Sequence, residues 1–147
     1  MSDLAHASPS PDDQAQCMAL IHAFCSFIDH GQPQQVVDLF SEDGVFERRG
    51  VALRGRAQIA AAMAARSAQV ITRHICSNIM LRAESAERIT GVTYFQLFRH
   101  DRSTGTVSPA PSDLLEAIGE YQDVFERTAQ GWRFAHRVAV PVFQRQS

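Results

Sequence analysis

A chain of 147 residues, 45% hydrophobic and 20% charged, has the size of one domain and a composition that excludes disorder. Its formal net charge is −2, and no basic run alternates with aromatics, so it carries no footprint for nucleic acid; its apolar runs also fall far short of the ~20 residues that a membrane helix needs. All 14 basic residues are arginine, which excludes Schiff-base enzymes that depend on a lysine amine.

Residues 1–9 are polar or small and read as a flexible tail, and 10–147 as a single domain. With Asp3 and no basic stretch at the start, no secretory signal is expected, and the expected location is cytoplasmic. Ser10-Pro11-Asp12-Asp13 reads as a helix start: a capping serine, proline in the first turn, and acids at the positive end of the dipole. Cys17, Leu20, Ile21, Phe24, Phe27 and Ile28 follow at helical spacing, and Gly31 supplies a left-handed stop. Pro33 opens a shorter helix with Val36, Val37, Leu39 and Phe40. Ser41-Glu42-Asp43-Gly44 reads as a turn, Val45-Phe46-Glu47 as a short strand, and Gly50 and Gly55 as brackets of a hairpin-like connection. A third helix, rich in alanine, is expected from about Arg56 to Ser67.

From Val70 the period becomes two. Ile71, Arg73, Ile75, Ser77, Ile79 and Leu81 alternate with Thr72, His74, Cys76, Asn78 and Met80, which describes a long strand. Further strands are expected over 86–98, 114–128 and 132–143, with a Ser/Thr/Gly/Pro-rich loop over 100–113 and a tight turn at Ala129-Gln130-Gly131. Helices first and strands later indicate α+β with an antiparallel sheet. Strands this long must coil, so the sheet curls round the first helix and leaves a conical pocket. Cys17, Cys25 and Cys76 are odd in number and lack a C-x-x-C, which suits reduced, buried thiols; a catalytic cysteine is the lesser alternative.

The segment Gly119-Glu120-Tyr121-Gln122-Asp123-Val124-Phe125-Glu126-Arg127-Thr128, running on to Gly131-Trp132-Arg133-Phe134, resembles the hairpin of the SnoaL-like branch of the nuclear transport factor 2-like superfamily. Three more stretches agree in order and spacing: Phe27-Ile28-Asp29 with Asp38-Leu39-Phe40, Glu42-Asp43-Gly44-Val45-Phe46, and Arg73-His74-Ile75-Cys76-Ser77-Asn78. The resemblance covers about residues 13–143. It implies an α+β cone that forms a homodimer or homotrimer through its open sheet face. It also implies a range of functions: dehydratase, isomerase, cyclase, epoxide hydrolase, non-catalytic binding subunit, or the small subunit of a ring-hydroxylating oxygenase. Fold does not choose among these.

Asp29 and His74 are the candidate catalytic residues. Asp29 shares a helix face with His22, Cys25 and Ser26 by i, i+3, i+4 and i+7 spacing. Period two sets His74 with Cys76 and Asn78. An aspartate on one ring nitrogen would fix the tautomer of His74 and raise its basicity. Scytalone-dehydratase-like members of the family use an aspartate and a histidine at corresponding places, together with tyrosines, and Ile28 stands where their first-helix tyrosine would be. The competing reading makes Asp29 a helix-end cap and His74 a satisfied strand residue. Asn78, Tyr94, Tyr121, Asp123 and Arg137 are the candidate substrate-binding residues. For Tyr121 and Asp123 a hairpin-register role competes, and for Arg137 an ion pair with Asp123 or Glu120. No H-x-x-x-H, H-E-x-x-H, phosphate loop, dinucleotide fingerprint or nucleophile elbow is present, so neither a metal nor another cofactor is expected. A metal site from Asp29, His74 and Asp123 has a low prior. The leading expectation is a cofactor-independent lyase or isomerase acting on a hydrophobic cyclic small molecule. The alternative is a non-catalytic small-molecule-binding or assembly domain.

Overall fold

The computed structural model describes residues 7–105, 108–111 and 115–146. Helix α1 spans Pro11–Asp29 and α2 spans Pro33–Asp38. Strands β1 (Phe40–Arg48) and β2 (Val51–Arg54) precede helix α3 (Gly55–Ala64). Then come the long strands β3 (Val70–Ser85), β4 (Arg88–Asp101), β5 (Leu115–Thr128) and β6 (Gly131–Gln144), with a 3-10 turn at Arg102–Thr104. The start of the expected tail, His6 included, parts of the expected 100–113 loop, and Leu114 lie outside the described residues. The end of that tail is docked: Ala7 accepts a hydrogen bond from Ala83 at 3.0 Å, and Pro9 is buried.

The six strands form one curved, unclosed sheet in the order β2-β1-β6-β5-β4-β3. All neighbours are antiparallel except β1 and β6, which run parallel. That pairing brings the first strand beside the last, a neighbour relation that sequence alone does not disclose. The expected turn at Ser41-Glu42-Asp43-Gly44 lies instead inside β1, where the register against β6 shifts between Phe40 and Val45. Gly44 permits that approach, because a Cβ there would lie 2.9 Å from the Phe134 carbonyl oxygen. The hairpin-like connection contains a true strand, β2.

Helix α1 lies across the concave face, and Cys17, Leu20, Ile21, Phe24, Cys25 and Ile28 are its buried residues. The ring of Phe24 meets Phe40, Phe46, Tyr121 and Phe134 edge-on, with centroids 5.3–6.2 Å apart. Burial of each such side chain contributes about 1.5–3 kcal/mol. Both ends of α1 are fastened by carboxylates. At its start, Ser10 Oγ accepts from the Asp13 amide at 3.2 Å, and Asp13 Oδ1 accepts from Trp132 Nε1 at 2.8 Å and Arg127 Nη2 at 2.9 Å. At its end, Asp29 reaches β3.

One-residue bulges interrupt the ladders of β3 on β4, β4 on β5 and β5 on β6. Each bulge bends its strand and adds twist. The β3 bulge also changes which side chains face inward. Before it, Thr72, His74 and Cys76 are the more buried set; beyond it, Ile79, Leu81 and Ala83 pack on the core. Asn78 sits at the switch with φ +52°, a left-handed conformation that asparagine tolerates better than most residues.

Candidate active site

Asp29 occupies the last turn of α1, where the helix dipole is negative and no basic residue compensates. A carboxylate placed there does not serve the helix. It serves β3, the outer strand of the sheet. Asp29 Oδ2 accepts from the backbone N–H of His74 at 2.9 Å, while Oδ1 accepts from the Thr72 hydroxyl and from His74 Nδ1, each at 2.7 Å. The two side chains are only 10% (His74) and 6% (Asp29) exposed. Burial alone would raise the Asp29 carboxyl, but the bonds from the His74 side chain and backbone and from Thr72 outweigh it and hold the group below its usual value.

An ionised carboxylate can only accept, so the proton lies on Nδ1 of His74. Nε2 is then the free lone pair, and it has no hydrogen-bond partner among the described residues. His74 lines a cavity of about 650 Å³ between α1, α3 and the concave sheet. That cavity is floored by Phe24, Phe46, Phe95 and Tyr121. Asp29 itself borders a smaller adjoining hollow of about 400 Å³, which shares Ile28 and Arg66 with the first. Arg66 completes the support, donating to the Ile28 carbonyl oxygen at 2.9 Å and to Thr72 Oγ1 at 2.8 Å. An imidazole so oriented, facing a chamber with an aromatic floor, is equipped to remove a proton and return it.

The remaining sequence candidates divide. Tyr121 lines the cavity, and burial lifts its hydroxyl well above the ordinary phenol value, so it stays a neutral donor. Asn78 is turned out of the cavity by the bulge and is exposed. Tyr94 is 50% exposed and also lies outside the cavity. Asp123 and Arg137 are fully covered side chains joined by two bonds of 2.8 and 2.7 Å. Arg137 is packed on the rings of Phe24, Tyr121 and Phe134 at 4.0–4.4 Å. Of the seven candidates, the structure therefore gathers Asp29, His74 and Tyr121 about the cavity. It sets Asp123 and Arg137 beneath Tyr121, and Asn78 and Tyr94 elsewhere.

With Asp123 held by Arg137, the triad of Asp29, His74 and Asp123 does not assemble. Among the described residues, no three His, Cys, Asp or Glu side chains converge as a metal cage. Cys17 is buried, and burial pushes its thiol up to about 12. Cys25 lies 3.2 Å from Cys76, and that contact, followed by burial, raises the Cys25 thiol. Neither buried thiol is a ready nucleophile.

Sequence reasoning missed Thr72, Arg66 and three more cavity arginines, Arg48, Arg49 and Arg99. Thr72 had a signal, since period two sets it beside His74. The arginines come from three separate stretches of the chain, Arg48-Arg49, Arg66 and Arg99, and nothing local marks them.

The chain matches the SnoaL-like domain family over residues 10–138. No curated protein matches it. Solved structures do. Rv3472 of Mycobacterium tuberculosis, a protein of unknown function, is 23% identical with a TM-score of 0.75, covering 88% of this chain and 76% of that one. A nuclear transport factor 2-like protein with a cystatin-like fold from Novosphingobium aromaticivorans is 22% identical with a TM-score of 0.74, covering 89% and 82%. A protein from the same organism, provisionally named scytalone dehydratase, is 16% identical with a TM-score of 0.74, covering 92% and 91%. At such identities these likenesses establish the cone fold and nothing finer. Since the family match takes in nearly the whole chain, the protein belongs to the SnoaL-like domain family.

Proposed function

We propose that this protein is a cofactor-independent lyase or isomerase that moves a proton α to the carbonyl of a hydrophobic cyclic small molecule. One observation carries the reading: Asp29 Oδ1 lies 2.7 Å from His74 Nδ1, and an ionised carboxylate there accepts a hydrogen bond from Nδ1–H, which leaves Nε2 as the base on the cavity side. Nε2 removes the α-proton, and the electron pair moves into the carbonyl as an enolate. Tyr121, a neutral hydroxyl in the same cavity, donates to the enolate oxygen. In an isomerase the imidazolium returns its proton to another carbon. In a dehydratase it gives that proton to a β-hydroxyl, which leaves as water while the enolate re-forms the carbonyl. The neighbour provisionally named scytalone dehydratase makes elimination a reasonable form of this chemistry. The alternative of a binding domain predicts a cavity with no use for an oriented base.

The test is solvent exchange and elimination on a cyclic β-hydroxyketone in deuterated buffer, followed by mass spectrometry. Wild type should catalyse one or both. His74→Ala should lose about 10²–10⁴-fold, the typical reach of general acid–base catalysis, and Asp29→Asn should fall in the same direction by freeing the wrong tautomer. Equal turnover by His74→Ala and wild type would discard the mechanism. The same proposal takes the protein to be a homodimer or homotrimer joined through the outer sheet face. It places the chain in the cytoplasm, in keeping with three free thiols; no helix among the described residues is long and apolar enough to cross a membrane.

A further inference from the structure

The cavity wall is charged in a way the chain as a whole is not. Four arginines line it, Arg48, Arg49, Arg66 and Arg99, against a single carboxylate, Glu116, in a protein of net charge −2. Arg48 and Arg49 sit at the β1–β2 turn, Arg66 just beyond α3, and Arg99 near the end of β4, so they approach the apolar floor from separate elements. Among the described residues none of the four forms an ion pair, and Glu116 forms none either. Arg66 spends its hydrogen bonds on neutral acceptors, the Ile28 carbonyl and the Thr72 hydroxyl. Arg48, Arg66 and Arg99 are half-buried, and the charges act on one another: burial and then Arg49 and Arg66 depress Arg48, while burial depresses Arg66, with Asp29 opposing and Arg99 adding to it.

Like charges brought together, partly desolvated and without carboxylate partners cost stability. The arrangement is intelligible if a ligand supplies the missing anion. We infer that the cavity takes an organic anion with a planar apolar body, an aromatic or polycyclic carboxylate, whose ring system lies on Phe24, Phe46 and Phe95 while Arg48, Arg66 and Arg99 clamp its carboxylate. The guanidinium fork matches a carboxylate in plane. The sequence has no glycine-rich phosphate loop of the kind that cradles phosphates, and so the carboxylate is preferred to a phosphate ester. This assignment names the substrate class of the proton-transfer site proposed above and rests on that reading for the chemistry, although the binding itself needs no turnover.

The experiment is calorimetric titration with naphthoate, its methyl ester and naphthyl phosphate, using wild type, His74→Ala and the double variant Arg48→Gln/Arg99→Gln. In wild type the acid should bind at least about tenfold more tightly than the ester, since hydrogen bonds to charged groups are the strong ones. That preference should shrink with added salt and vanish in the arginine variant. Equal binding of acid and ester by wild type would overturn the inference, and this comparison does not depend on any variant folding. No binding of the acid at millimolar concentration, a preference that survives in the folded arginine variant, or tighter binding of the phosphate would each overturn the carboxylate assignment. If His74→Ala retains turnover while the acid preference holds, the mechanism fails and the ligand class stands; the converse pattern removes the ligand class alone.

Discussion

At the scale of single residues, Asp29 holds three donors with one carboxylate: the His74 ring, the His74 amide and the Thr72 hydroxyl. Its folded value lies below that of an unfolded aspartate, about 3.9. The ionised form therefore stabilises the fold at every pH above about 4, and that contribution drains away as pH falls through the lower folded value. Asp29→Asn should cost about 1.5–3 kcal/mol near neutrality, the range for hydrogen bonds to a charged acceptor. The difference in Tm between wild type and variant should narrow as the pH is taken down through the acid range. Thermal unfolding from neutral to strongly acid pH measures it, and a gap that stays constant with pH would show that the carboxylate charge contributes nothing.

At the scale of elements, the β5–β6 hairpin carries the family-like motif, yet its candidates Asp123 and Arg137 do not line the cavity. Asp123 and Arg137 face each other across the register and close a bidentate pair in a site with no exposure. Burial pushes the Asp123 carboxyl up against the pull of Arg137; burial also opposes the Arg137 charge, but Asp123 keeps that charge above its ordinary value. Desolvation on this scale makes the pair a weak source of net stability and an expensive one to break. Arg137→Met should destabilise by about 3–5 kcal/mol, because it strands a carboxylate. Asp123→Leu combined with Arg137→Met should recover most or all of that loss, and chemical denaturation of the two variants decides it. A double variant as unstable as Arg137→Met would mean the pair is net stabilising. The same elements show what the sequence could disclose. Period and capping gave α1 and the hairpin strands β5 and β6 to within a residue or so, because those signals are local; Phe40, expected in the second helix, instead opens β1, and β4, expected over 86–98, runs Arg88–Asp101. The turn expected at 41–44 and the inward place expected of Asn78 failed for one reason, that a bulge or register shift breaks the period inside a strand, and Gly44 reads the same whether it opens a turn or admits a close strand partner. The juxtaposition of Asp29 with His74 was legible because both lie in local patterns that the family motif joins. The arginine cluster was not, since it exists only once three separate places in the chain meet.

At the scale of the whole molecule, an open sheet covered on one face leaves the other to be accounted for. Cross-strand register puts Ile75, Gln96, Ile118 and Phe143 in one row, and Ser77, Tyr94, Glu120 and Val140 in the next. Within those rows Ile75, Tyr94 and Phe143 are exposed by 49%, 50% and 67%. Their neighbours Phe95 and Gly119 point inward, and Gly119 has no room for a Cβ, which would strike Val140 O, Phe95 Cζ and Pro141 Cα. The sheet is thus tightly seated on its concave side, while its convex side carries exposed Ile75, Tyr94 and Phe143 among the polar Ser77, Gln96 and Glu120, a mixed surface of the kind that partners cover. If copies of the chain cover it, the native protein is a dimer or trimer, and Tyr94→Glu with Phe143→Glu places carboxylates among its exposed apolar side chains. Light scattering after size exclusion should then give an oligomer mass for wild type and a monomer mass for the double variant at micromolar concentration. The variant should remain folded, because neither side chain packs on the core. A wild-type monomer, or an oligomer indifferent to both glutamates, would move the interface off this face. The dyad gives a second reading on the same sample: His74 lies on the concave side, so acid–base turnover should survive dissociation unless a partner helps to close the cavity mouth.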